Sequence, residues 1–137
     1  MASKTLSFVR ELNVTSATES KVSLELQVQK EHLNKATGLH GGLIATLIDI
    51  GGSLAIASKG IYNTGVSTDI NVSFINAAKL NDVLTIEGKC EKLGKNLAFT
   101  SVDIHNKETG KIIAQGRHTK YIAAAHLDPK NIANLKL

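Results

Sequence analysis

The sequence predicts an α+β domain in which a curved antiparallel sheet of about six strands wraps one long central helix. Three observations predict it. Segments of alternating apolar and polar residues lie on both sides of one continuous apolar run, and the later segments are joined by short polar turns. The run itself, Leu43 to Ala57, has no clear polar face. Such a helix has to be covered nearly all round, so the face that the sheet leaves open is expected to meet a second subunit.

Taken in order, a loose strand is expected from about Leu6 to Val14. Lys21 to Gln29 follows as a clear strand, with Val22, Leu24, Leu26 and Val28 on one face. The helix comes next. Ser67 to Ile75 alternates again through Ile70, Val72 and Phe74, and Val83–Leu93, Leu97–His105 and Lys111–Ile122 complete the series. Leu80-Asn81-Asp82, Leu93-Gly94-Lys95-Asn96 and Asn106-Lys107-Glu108-Thr109-Gly110 are the polar turns that antiparallel hairpins require, so the last three strands form a meander. Two strands, a helix and four strands in this order make a hot dog fold. Residues 1–137 are read as one domain, with a core at about 6–122 and a tail at 123–137. In that tail, Ile132 and Leu135 mark a loosely anchored helix or a partner-docking segment.

Composition narrows the function. With 137 residues, 42% hydrophobic, there is enough apolar material for one core and hardly for two. Aromatics are only 4% and Trp is absent, which argues against binding single strands of nucleic acid by stacking. The net charge of +4 comes from scattered Lys and Arg, which suits a phosphate-bearing small ligand better than a polynucleotide. Cys90, the single cysteine, allows no intrachain disulfide and is expected in the core of a protein from a reducing compartment. His32, His40, His105, His118 and His126 lack metal-ligand spacing and read as exposed or core residues, so no metal is expected. No ordered Ser/His/Asp triad or nucleophile elbow is visible.

The apolar run is short of the roughly 20 residues needed to span a bilayer, so no integral membrane segment is expected. The expected compartment is the cytoplasm or the mitochondrion, with the peroxisome weakly signalled by Leu135-Lys136-Leu137, which only partly matches a peroxisomal address.

Chemistry concentrates at the helix. Gly41 and Gly42 stand at its start, where unpaired backbone N–H groups carry the positive end of the dipole. Two readings stand: a ligand approaches that backbone closely, or the pair only makes a tight turn. Asp49 is the one carboxylate in the run. It either pairs with a lysine or caps a neighbouring element, or it is a functional group. Gly41 and Asp49 are about 12 Å apart along one helix and about 80° apart around it, too far for one carbonyl to touch both. Two antiparallel helices across a dimer axis would bring the start of one to the Asp of the other, giving two composite sites.

Asn34-Lys35-Ala36-Thr37-Gly38-Leu39-His40-Gly41-Gly42, Asp49, Gly65-Val66-Ser67-Thr68-Asp69, the stretch from Gly94 to Asp103, and Ile113 to Lys120 stand in register with a known pattern. The chain resembles the hot dog acyl-CoA thioesterases of the thioesterase superfamily member 2 (acyl-CoA thioesterase 13) and phenylacetic-acid types over most of residues 20–121. The resemblance implies hydrolysis of medium- to long-chain acyl-CoA without a cofactor, by a homodimer that shares its active sites within a homotetramer. It places the catalytic set on Asn34, Gly41, Asp49 and Ser67. Gly41 N–H and Asn34 of one subunit would hold the thioester oxygen, and Asp49 of the other would activate a water oriented by Ser67. His40 is included as a residue that shapes the loop. Contacts to substrate and coenzyme A would fall on Gly42, Asp69, Phe74, Lys79, Lys92, Lys95, Asn96 and Leu97, with Lys120 a further lysine near a strand end.

The chain departs from the family in a shorter front, in Asn76-Ala77-Ala78-Lys79 where a Ser-Pro-Ala-Lys turn is usual, and in the tail past Ile122. A non-catalytic acyl-CoA-binding module is the main competing function, disfavoured by the presence of Asp49 and Ser67. A hot dog hydratase is the other, and it would want a His and an acid at different positions.

Overall fold

The computed structural model describes residues 12–132. The described strands are β1 (Asn13–Thr18), β2 (Lys21–Gln27), β3 (Val66–Phe74), β4 (Val83–Leu93), β5 (Leu97–Asn106) and β6 (Ile112–Tyr121), and the helix α1 spans Gly41–Ala57. They form one antiparallel sheet in the order β1-β2-β4-β5-β6-β3, with α1 packed on its inner face. This is the predicted hot dog arrangement, meander included. β3 sits at the far edge of the sheet, so its outer rim has no partner strand within the described chain.

Alternation builds the core. Val22, Leu24 and Leu26 of β2, Leu84, Ile86 and Cys90 of β4, and Ala98, Val102 and Ile104 of β5 all face the helix and are buried. Leu43, Ile44, Leu47, Ile48, Ala55 and Ile56 of α1 meet them. The helix lies unusually deep because small residues line the seam. A Cβ on Gly88 of β4 would collide with the Gly51 carbonyl oxygen, and one on Gly116 of β6 would lie 2.6 Å from Ile48 Cγ2. Interiors packed at this density fix the rotation of the helix, and with it the direction of Asp49.

The sheet leaves one stripe of the helix open, the face expected to meet a second subunit. Gly42 and Thr46 are exposed, and Ala45, Asp49, Ile50, Ser53 and Ala57 are only partly covered. The side chain of Asp49 is 49% exposed in the single chain, so it is not the buried carboxylate expected from its neighbours. It lies on the stripe that the sheet leaves open.

Two ends of the chain also differ. The first strand runs through Thr18 and turns at Glu19-Ser20, where Ser20 takes a φ of 74°. Every residue of β1 is exposed, so this edge strand carries no alternation for a sequence reading to find, and residues 6–11 of the expected strand lie outside the described residues. After Ile122 the described chain forms one short 3-10 helix, Ala125–Leu127, and is tied to the body of the protein. Asn131 is buried, accepting from the Tyr62 N–H at 2.8 Å and donating to the Ala125 carbonyl at 2.8 Å. Leu135 lies outside the described residues. Among the described residues no helix is long and apolar enough to cross a membrane.

Candidate active site

Two groups of polar residues lie toward opposite ends of α1. The first is built around its start. Asn34 heads a tight loop in which its Oδ1 accepts from the Ala36 N–H at 2.9 Å and the Gly38 N–H at 3.2 Å. With Oδ1 so occupied, Nδ2 is the part of the amide left to donate outward, having no acceptor among the described residues. Hydrogen bonds from Leu39 N–H to the Ala78 carbonyl and from His40 N–H to the His32 carbonyl tie the loop's exit to the body of the protein.

His40 caps the helix: its Nδ1 accepts from the Gly42 N–H at 3.2 Å, and its carbonyl accepts from Leu43 and Ile44. Among the described residues the Gly41 N–H has no acceptor, so it remains a free donor at the positive end of the helix dipole. Gly42, by contrast, has its N–H committed. The Phe74 ring flanks the glycine, its Cε1 lying 3.5 Å from where a Gly41 Cβ would stand.

The second group surrounds Asp49. His118 on β6 is fully buried, with Nε2 2.6 Å from Ser67 Oγ and 3.6 Å from Asp49 Oδ1. The longer separation is beyond a hydrogen bond but close enough for electrostatic coupling. Burial pushes the imidazole below its ordinary pKa; the Asp49 carboxylate opposes that shift and the Lys120 ammonium adds to it. His118 is therefore neutral at pH 7. Its Nδ1 has no partner and faces Gly52, where a Cβ would lie 2.9 Å away. The 2.6 Å contact is a hydrogen bond between Ser67 Oγ and His118 Nε2 whose direction the ring's tautomer sets, and the ring also meets the Asp49 backbone.

A bulge brings Ser67 there. On β6, Ala114, Gly116, His118 and Lys120 face the helix, and Phe74, Val72, Ile70 and Ser67 of β3 pair with them in turn. Strict alternation would put Ser67 on the opposite face from Ile70. The register shifts between Ser67 and Asp69, so Thr68 is an extra residue and Ser67 returns to the inner face. Thr68 itself donates to the Thr119 carbonyl at 3.1 Å.

Lys120 completes this group. It is 6% exposed, and its Nζ donates to Ser53 Oγ and Thr64 Oγ1, each at 2.9 Å. Burial depresses its pKa and the Asp49 charge opposes the shift. It is thus an internal ammonium, not the phosphate-facing lysine that its position near a strand end suggested.

The profile of the thioesterase superfamily matches residues 38–113, more than half of the chain, including Gly41, Asp49 and Ser67. The chain belongs to the thioesterase superfamily. It is 46% identical over 111 residues to acyl-coenzyme A thioesterase 13 of Homo sapiens, covering 81% of this chain and 79% of that one. Thioesterase superfamily member 2 of Mus musculus superposes with a TM-score of 0.81 at 41% identity over 86% of each chain. A thioesterase protein of Streptococcus pneumoniae, solved with coenzyme A, superposes with a TM-score of 0.78 at 31% identity over 85% of this chain and 88% of that one.

In this thioesterase-superfamily chain the expected site residues fall into separate places. Asn34, His40, Gly41 and Phe74 gather at the helix start, whereas Asp49 and Ser67 gather with His118. Lys79 lies before β4, with its N–H bound to Asp82 Oδ2 at 2.9 Å, and Lys92, Lys95, Asn96 and Leu97 lie at the far end of that strand. A strand of this length spans roughly 30 Å, so Lys79 cannot share one phosphate with Lys92 or Lys95 of the same chain. Asp69 is exposed on the bulge, pairing with Thr119 of the outward face.

His118 is the residue of this group that sequence reasoning missed, and Lys120 was given a different role. The signal was available: both stand on the core-facing parity of β6 between Gly116 and Ile122, where apolar side chains belong. Ser67, His118 and Asp49 lie together, but Ser67 and Asp49 both approach the same ring nitrogen, so they are not arranged as an ordered Ser/His/Asp triad. Among the described residues no group of three or more His, Cys, Asp or Glu is arranged to hold a metal ion.

Proposed function

We propose that this chain hydrolyses acyl-CoA thioesters to coenzyme A and a carboxylic acid, in sites shared between two copies. The observation that carries the reading is the placement of Asp49 Oδ1 and Ser67 Oγ about one neutral imidazole on the open stripe of the helix. A free N–H at Gly41 on the same helix supplies the complementary half.

In this reading a water donates a hydrogen to Asp49 while Ser67 Oγ–H holds one of its lone pairs. Its other lone pair forms a bond to the thioester carbon as Asp49 takes the proton. The carbonyl oxygen becomes an oxyanion held by Gly41 N–H and Asn34 Nδ2 of the second copy. Collapse re-forms the carbonyl and breaks the C–S bond, expelling a thiolate. A simple cysteine thiol has a pKa of about 8.5, so a thiolate leaves without strong acid assistance. Direct attack by Asp49 through an anhydride is the competing route. Base catalysis is favoured here because Ser67 is placed to orient a water.

A second copy is called for by the surface as well. β3 is an unpaired edge nine residues long, on which Val66 is 63%, Ile70 39% and Phe74 59% exposed. Long apolar edges are seldom left open to solvent. Pairing β3 with β3 of another copy would cover this edge and lay two α1 helices antiparallel, so that each Asp49 approaches the other's Gly41. A tetramer of two such dimers is proposed on the family resemblance, as are medium to long acyl chains. Coenzyme A is substrate and product, with Lys79, Lys92 and Lys95 as candidate phosphate contacts. The presence of coenzyme A with the Streptococcus pneumoniae relative supports this ligand class.

Release of free thiol from a chain-length series of acyl-CoAs tests the reading. Turnover by the native chain that falls at least about 100-fold in Asp49→Ala supports it. Binding with no turnover by the native chain points to the acyl-CoA-binding module instead.

A further inference from the structure

Lys120 presents a puzzle of energetics. An ammonium on the inner face of a sheet loses most of its hydration, and two hydroxyl acceptors replace only part of it. An apolar side chain of similar length would fill the same space without that loss. The geometry around Ser53 indicates what the charge does.

Ser53 stands one helical turn after Asp49, and its Oγ lies 3.4 Å from Asp49 Oδ1 and 2.9 Å from Lys120 Nζ. An ammonium has donors and no acceptor. Ser53 must therefore accept from Lys120, and its single hydrogen is left for another acceptor. Asp49 Oδ1 is the acceptor within reach. The direction of every bond in this chain is thus set by Lys120, and Thr64 Oγ1 fixes the ammonium from the other side.

We infer that Lys120 is a positioning residue for the proposed reaction, acting through the hydroxyl of Ser53 to hold Asp49 Oδ1, the same oxygen that His118 Nε2 approaches. The inference rests on the reading of Asp49 as the general base. A carboxylate on a half-open face has rotational freedom, and a base that turns away from the water loses its alignment with the thioester carbon. The imidazole Nε2 is 3.6 Å from Asp49 Oδ1, beyond a hydrogen bond, whereas the Ser53 hydroxyl is within reach of that oxygen. The 3.4 Å contact is long, as such contacts are before substrate closes a site.

The test combines Ser53→Ala, Ser53→Thr, Lys120→Met and the Ser53→Ala/Lys120→Met double variant, with thiol release from a turned-over acyl-CoA and thermal unfolding measured on each. Ser53→Ala and Lys120→Met are each expected to lower kcat about tenfold with KM unchanged, while the Tm stays level or rises. The double variant is expected to lose no more than either single one, because both cut the same chain. Ser53→Thr, which keeps the hydroxyl, is expected to retain most of the activity. Native kcat in Ser53→Ala overturns the inference. So does a loss of about 100-fold in the double variant, which would mean independent effects, or a loss of kcat that follows a fall in Tm. Should Lys120→Met fail to fold, the contrast of Ser53→Ala with Ser53→Thr decides. Asp49→Ala in the same panel separates the two levels: full turnover there removes the base assignment, whereas loss there with none in Ser53→Ala removes only this inference.

Discussion

His118 Nε2 stands 2.6 Å from Ser67 Oγ, across 51 positions of sequence, and this contact couples β6 to the edge strand at the candidate active site. It holds the serine hydroxyl in one place. His118→Ala removes the group that orients Ser67 and is expected to lower kcat by about 10- to 100-fold with a smaller change in KM. Steady-state thiol release on the variant and the native chain checks this.

The same histidine sets a pH dependence of stability. Its folded pKa is depressed by burial below the unfolded value of about 6.5. The unfolded chain therefore binds more protons between those two values, and stability falls as pH is lowered through about 6.5 toward the folded pKa. Above pH 6.5 the contribution is fully present, and below the folded pKa no more is lost. Urea unfolding at intervals from pH 7.5 to 5 is expected to show this slope in the native chain and a flatter one in His118→Gln.

Deleting Thr68 tests the bulge. Without the extra residue, Ser67 stands two positions before Ile70, so plain alternation keeps it on the inner face opposite Lys120 while Ile70, Val72 and Phe74 keep their pairing with β6. The expected product is folded, with native-like circular dichroism, and retains most of its turnover. Loss of turnover to about the level of Ser67→Ala in a folded product would mean that the bulge itself sets the Ser67 geometry.

The depth of the helix is equally open to test. Gly88→Ala puts a methyl against the Gly51 carbonyl and forces α1 off β4. Overpacking of this kind costs about 1–3 kcal/mol, and here the obstacle is backbone. A lower urea midpoint is expected, with kcat reduced as Asp49 shifts with its helix.

Much of the fold was legible because burial on one face leaves a period of two, as in Val22, Leu24 and Leu26, and because short polar turns separate β4, β5 and β6. β1 was misplaced for the converse reason: a strand exposed along its whole length has no period. The site was legible only in part. Gly41 and Asp49 stand out within one helix, but Ser67 sits on the wrong parity until the bulge at Thr68 is known. His118 and Lys120 are recognisable as site residues only once β6 is known to turn them inward. Asp49 looked buried because its sequence neighbours are apolar, yet rotation of the helix in its glycine-lined seat turns it to the open stripe.

The shared site is the claim on which the rest depends, and co-expression of Asp49→Ala with Asn34→Ala tests it most directly. Each variant alone is inactive in this account. In a mixed dimer one site carries both lesions, and the other receives an intact Asp49 from one copy and an intact Asn34 from the other. Random pairing makes half of the dimers mixed, with half of their sites restored, so about one quarter of native turnover is expected. Turnover in the mixture no higher than in the separate variants would contradict the account.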